Sequence, residues 1–240
     1  MTTALRGRGP IPIVALDRPT TAEALRIVEQ LGASCRFYKI GSELFTREGP
    51  RVVDAVRATG SEVFLDLKFH DIPNTVRESA RAAASLGVRL LTVHAAGGSA
   101  MMGAAVDGAG DGCGVLAVTV LTSLDSAALG STWGRDGVVV EHEVLRLAGI
   151  AAAARAHGVV CSGHEAAAVR AALPELSLLV PGIRLPSGDA HDQSRVSTPA
   201  DAARAGARYL VLGRAVTAAA DPVAAMAAVN ASLATAGSEC

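Results

Sequence analysis

The stretch FLDLKFHDIPNTV, Phe64 to Val76, starts as a core strand and ends in charge. Side chains two apart on a strand point to the same side. Phe64, Asp66 and Lys68 therefore share one face, while Leu65 and Leu67 share the other. The leucine face suits a layer of covering helices. The opposite face turns from apolar to ionic at the C-terminal end of the strand, which is where parallel α/β folds collect functional groups.

Runs of the same kind recur on both sides of this segment. Strands are predicted at IPIVALD (11–17), RFYKIG (36–41), EVFLDLK (62–68), RLLTVHA (89–95), GVLAVTV (114–120), GVVCSG (158–163), LSLLVPG (176–182) and RYLVLG (208–213), with alanine-rich helical runs between them. Ala24, Ile27, Val28 and Leu31 fall at helical spacing behind a capping box from Thr20 to Glu23, and Thr198-Pro199 opens a later helix. Gly32, Gly87 and Gly206 stand where helices should stop. No strongly polar linker divides the chain, and its one long irregular stretch, about 181–196, follows the seventh strand. Eight β/α units predict a closed (β/α)8 TIM barrel forming a single domain over residues 1–240. An open doubly wound sheet shares the same alternation.

Composition narrows the functional classes. Half of the 240 residues are apolar, enough for a sizeable core, and the formal net charge is -1. Neither a broad basic surface nor a polybasic run is present, so nucleic acid and anionic membranes are not expected partners and the ligand should be small. The apolar stretches are broken well short of the roughly 20 residues that span a bilayer. Cys35, Cys113, Cys161 and Cys240 have no metal-ligand spacing, and MTTALRGRGP lacks the apolar centre of a signal peptide. A cytoplasmic, reduced protein without a metal site is the expectation.

In a barrel the strand ends meet at one mouth. Asp17 would arrive there from the first strand, Lys39 from the second, Asp66 and Lys68 from the third and His94 from the fourth, with Asp71 nearby and Thr122 and Ser123 just after the fifth. A structural ion pair would account for Asp66 and Lys68 alone. The clustering of Lys39, Asp17 and Asp71 beside them favours function, because buried charges are costly to hold together. His94 reads as a hydrogen-bonded wall residue. Across the mouth, Gly213 and Arg214 in LVLGRAV stand where the eighth strand enters a helix, an arrangement suited to phosphate, with a surface ion pair as the plainer reading of Arg214. The loop PGIRLPSGDAHDQSRV, 181–196, is long enough to close over a ligand and offers Arg184 and Gln193.

DLKFHDIPNT is similar to the signature Asp-x-Lys-x-x-Asp-Ile-Pro-Asn-Thr, and the chain resembles the orotidine 5'-phosphate decarboxylase family over nearly its whole length. ALD (15–17), YKIG (38–41), TVLTS (119–123), PGIR (181–184), DQSRV (192–196) and LGRAV (212–216) also match in order and spacing. The resemblance implies cofactor-independent conversion of OMP to UMP in de novo pyrimidine synthesis, with Lys68 as proton donor and Asp66, Lys39 and Asp71 completing an alternating array of charges. It also implies a homodimer with shared sites, in which Asp71, Ile72 and Thr75 reach the neighbouring subunit. Asp17 and Lys39, with the partner's Thr75, would hold ribose hydroxyls. Thr122 and Ser123 would meet the pyrimidine, Pro181 would lie beside it, and Arg184, Gln193, Gly213 and Arg214 would surround the phosphate. Two rivals remain at this stage: a magnesium-dependent sugar-phosphate decarboxylase built on a similar Asp-x-Lys-x-x-Asp core, and a silent barrel that only binds nucleotides.

Overall fold

The computed structural model describes residues 9–185 and 197–237. Eight strands, each parallel to its neighbours, close into a barrel in sequential order: β1 (Ile11–Ala15), β2 (Phe37–Gly41), β3 (Glu62–Phe69), β4 (Leu90–His94), β5 (Gly114–Val118), β6 (Gly158–Val160), β7 (Ser177–Val180) and β8 (Tyr209–Leu212). Closure comes from β1 pairing with β8, Ile11 opposite Tyr209 through Val14 opposite Leu212. This excludes the open sheet.

Strand alternation sorts the residues into two layers. Val14, Leu65, Leu91 and Val115 face outward into a continuous apolar shell shared with the helices. Ile13, Phe37, Phe64, Leu90, Leu116, Leu179 and Tyr209 face inward and fill the barrel. At the N-terminal end of the strands the filling is dense. The Phe37 and Tyr209 rings meet edge to face at 6.4 Å, and His157 Nε2 lies 3.1 Å from the Tyr209 hydroxyl. Gly158 is required there, because a Cβ would fall 1.9 Å from the Ser177 carbonyl oxygen. The barrel floor is therefore plugged by side chains.

The covering helices are α1 (Thr21–Leu31), α2 (Ser42–Glu48), α3 (Arg51–Ala58), α4 (Pro73–Ser85), α5 (Gly98–Ala109), α6 (Ser126–Trp133), α7 (Val140–Ala153), α8 (Gly163–Ala172), α9 (Pro199–Arg204), α10 (Arg214–Thr217) and α11 (Pro222–Gly237). Helix α1 buries Ala24, Ile27, Val28 and Leu31, and Thr20 caps it by accepting from the Glu23 N–H. The return half of the expected box runs between side chains, from the Thr20 hydroxyl to the Glu23 carboxylate. A full capping box forms instead on α8, from Ser162 and Glu165. Thr198 caps α9 with Pro199 at its first position. Gly32, Gly87 and Gly206 follow helices with φ of 48°, 73° and 87°, a region that suits glycine. No helix among the described residues is long and apolar enough to cross a membrane.

Candidate active site

Strand β3 carries Asp66 and Lys68 to the C-terminal mouth, but its pairing with β4 is irregular. Leu65 lies opposite Leu91 and Phe69 opposite Val93, so β3 spends four residues where β4 spends two. Such a bulge bends the strand and re-aims its side chains. Because the excess is an even number of residues, the faces are not exchanged, and Leu67 and Phe69 still pack against the outer shell. Within the bulge Lys68 has φ 51°, a left-handed conformation that costs a residue with a Cβ roughly 1–2 kcal/mol.

The charged groups form a chain. Lys68 Nζ donates to Asp66 Oδ1 at 2.8 Å, Lys39 Nζ lies 3.7 Å from Asp66 Oδ2, and Lys39 Nζ donates to Asp17 Oδ1 at 3.0 Å. The alternation is thus Asp17, Lys39, Asp66, Lys68. Burial alone would push the Asp66 carboxyl up, but the Lys39 and Lys68 ammoniums, with hydrogen bonds from Lys68 and Thr92, hold it below the usual carboxylate value. Gly41 makes room for this chain, since a Cβ there would sit 3.0 Å from Lys39 Nζ and 3.3 Å from Asp17 Oδ1.

These groups border a cavity of about 490 Å³, a size suited to a small molecule. Asp17, Lys39, Asp66 and Lys68 line it, as do Thr122 and Pro181. Arg184, Gly213 and Arg214 also line it. A Cβ on Gly213 would meet no protein atom within 4 Å, so internal packing does not demand the glycine. Helix α10 is a single turn and contributes little dipole, so any attraction for an anion there would have to come from backbone N–H groups and the Arg214 guanidinium. Val118, Val160 and Leu179 supply an apolar wall.

Other predicted residues lie elsewhere. Ser123 is not among the lining residues. Asp71, Ile72 and Thr75 are exposed and do not border the cavity of their own chain; Ile72 is 68% exposed, and its N–H is held by Asp71 Oδ1 at 2.6 Å. Within the chain, Asp17 is the fourth member of the charge series. Gln193 and most of the 181–196 loop fall outside the described residues. His94 is half-buried against the His70 ring, with centroids 5.5 Å apart, and among the described residues its side chain shows no hydrogen bond. Burial, with the His70 and Lys68 charges, keeps its pKa low.

Sequence reasoning missed Arg18 and Thr217, which border the cavity and are joined by an Arg18 Nη2 bond to the Thr217 carbonyl at 2.9 Å. It also missed Thr92, whose inward direction was available from its place two residues before His94. Among the described residues no group of three or more His, Cys, Asp or Glu side chains could hold a metal ion.

A closed parallel barrel with ammonium and carboxylate groups gathered at the ends of its strands defines a (β/α)8 enzyme. Comparison with known proteins narrows the class. The family described as Orotidine 5'-phosphate decarboxylase / HUMPS matches residues 10–229. The chain is 55% identical over 221 residues to an orotidine 5'-phosphate decarboxylase of Anaeromyxobacter sp. (strain K), covering 91% of this chain and 96% of that protein. It is 49% identical over 226 residues to one from Nitrosococcus oceani, covering 92% and 96%. The crystal structure of orotidine 5'-phosphate decarboxylase from Lactobacillus acidophilus superposes with a TM-score of 0.82 at 37% identity, over 94% of this chain and 99% of that one. The chain belongs to the orotidine 5'-phosphate decarboxylase / HUMPS family.

Proposed function

We propose that this chain decarboxylates orotidine 5'-phosphate to UMP in de novo pyrimidine synthesis without a cofactor, and that Lys68 stabilises the C6 carbanion and then protonates it. Loss of CO2 from C6 leaves an electron pair in an sp2 orbital that cannot delocalise into the ring π system. A fixed cation beside that carbon is a direct remedy. The observation that carries the reading is the Lys68 ammonium anchored 2.8 Å from Asp66 on the cavity wall, in a chain whose relatives carry that decarboxylase name. Two unit charges about 4 Å apart attract by roughly 4 kcal/mol at an effective dielectric of 20. Enzymatic barrier reductions are typically about 8–23 kcal/mol, so other contributions are needed. Asp66 beside the substrate carboxylate would raise the energy of the bound state, and Lys39 would help to hold Asp66 ionised and aimed.

The remaining roles are those of binding. Asp17 and Lys39 hold ribose hydroxyls, Thr122 meets the pyrimidine beside Pro181 with Ser123 next to it in sequence, and Arg184, Gly213 and Arg214 take the phosphate, joined by Gln193 from outside the described residues. Closure of the 181–196 segment over the phosphate would let remote binding energy orient the base and exclude water. The protein works as a homodimer in the cytoplasm, with Asp71, Ile72 and Thr75 completing the neighbour's site. Their exposure and their absence from the lining of their own cavity support this. The buried free thiols of Cys35, Cys113 and Cys161 are consistent with a reducing compartment.

The test is loss of OMP absorbance in metal-free buffer with chelator, comparing wild type with Lys68→Ala. Wild type should turn over and Lys68→Ala should lose activity while still binding UMP. Near-normal turnover by Lys68→Ala would defeat the assignment, and dependence on magnesium would move the reaction to a metal-assisted class.

A further inference from the structure

Lys68 enters the mouth through the β3 bulge, and the bulge is held by a side chain from the next strand. The Lys68 backbone N–H donates to Thr92 Oγ1 at 2.9 Å. The Thr92 hydroxyl donates in turn to Asp66 Oδ1 at 2.9 Å, the same oxygen that binds the Lys68 ammonium at 2.8 Å. A hydroxyl has one proton to give, so accepting from Lys68 leaves that proton for Asp66. One side chain thus grips the lysine twice, directly at its backbone and, through Asp66, at Nζ. Thr92 itself is fully buried and does not border the cavity. It has no surface from which to touch a ligand.

We propose that Thr92 is a positioning residue: its hydroxyl locks the bulge of β3 in the left-handed Lys68 conformation and ties the Asp66 carboxylate to it, fixing the ammonium relative to the reacting carbon. The inference deepens the decarboxylase reading and rests on Lys68 being the proton donor. Threonine is an ordinary strand residue, and a role confined to filling space would be served by valine, which has the same shape without the hydroxyl. A positioning role would not survive that change. Serine keeps the hydroxyl and loses only the methyl group.

The experiment compares wild type, Thr92→Val and Thr92→Ser in the full-length protein. Thr92→Val should lower kcat about 10- to 100-fold through misplacement of the lysine. KM for OMP and affinity for UMP should stay within about twofold, because no ground-state contact is removed. Thr92→Ser should recover most of the loss. Equal kcat in wild type and Thr92→Val overturns the proposal, as does an equal loss in the serine variant. Where valine disturbs folding, Thr92→Ala against Thr92→Ser makes the same comparison. Crystal structures of wild type and Thr92→Val give a reading independent of turnover. Lys68 leaving positive φ, or its Nζ leaving Asp66, is the expected result, and an unmoved lysine overturns the inference. A wild-type protein that fails to decarboxylate OMP sinks the functional reading instead, and Thr92 is then judged on the crystal structures alone.

Discussion

Two donors converge on Asp66 Oδ1, the Lys68 ammonium and the Thr92 hydroxyl, while Lys39 approaches Oδ2. Their combined effect lowers the carboxyl pKa despite burial, so folding favours the ionised form. A depressed carboxylate contributes stability that is complete above its unfolded value, near 3.9, and is lost as pH falls through the lower folded value. The gap in urea midpoint between wild type and Asp66→Asn should therefore be widest near neutral pH and should narrow below about pH 4. A gap that does not change with pH would contradict the direction assigned here. Period-two alternation was enough to bring Asp66 and Lys68 to one face from sequence. It also turned Thr92 inward, but nothing in a threonine within a strand announces that its hydroxyl will serve a neighbouring backbone, because that partner exists only once β3 has bulged.

The bulge shows what a pattern at the level of elements can and cannot reveal. An excess of two residues leaves the inward and outward sets intact, so the sequence reads as a regular strand although the ladder is broken between Leu65 and Phe69. Similarly, the alternation of strands with helical runs does not disclose that β5 leads into two helices. Glu143 of α7 joins them, bonding Arg135, just past α6, and Arg146, each at 2.7 Å. The pair of bonds anchors the segment that follows Thr122 and Ser123. Glu143 is buried, but both guanidiniums are about half exposed. Glu143→Gln should therefore cost about 1–2 kcal/mol, between the ~0–1 of a surface pair and the ~3–5 of a broken buried pair. Urea unfolding measures this, and an unchanged midpoint would mean that the cluster is ornamental to stability.

For the molecule as a whole, eight strand signals in IPIVALD through RYLVLG pointed to the barrel but fitted an open sheet as well, and the pairing of Ile11 with Tyr209 is what closes it. A shared subunit site is an expectation from the resemblance alone: Asp71 and Ile72, just before α4, and Thr75 in its first turn are exposed. If they complete a neighbour's site, mixing inactive Asp71→Ala with inactive Lys68→Ala should restore part of the activity through hybrid dimers carrying one intact site. No recovery despite demonstrated subunit exchange would place each site within a single chain. The plugged floor has a consequence for traffic. With Phe37, Tyr209 and His157 sealing the opposite end, any molecule that reaches the lysine enters and departs by the same doorway, so gas and nucleotide must queue for one exit and whatever bars that doorway halts arrival and release together.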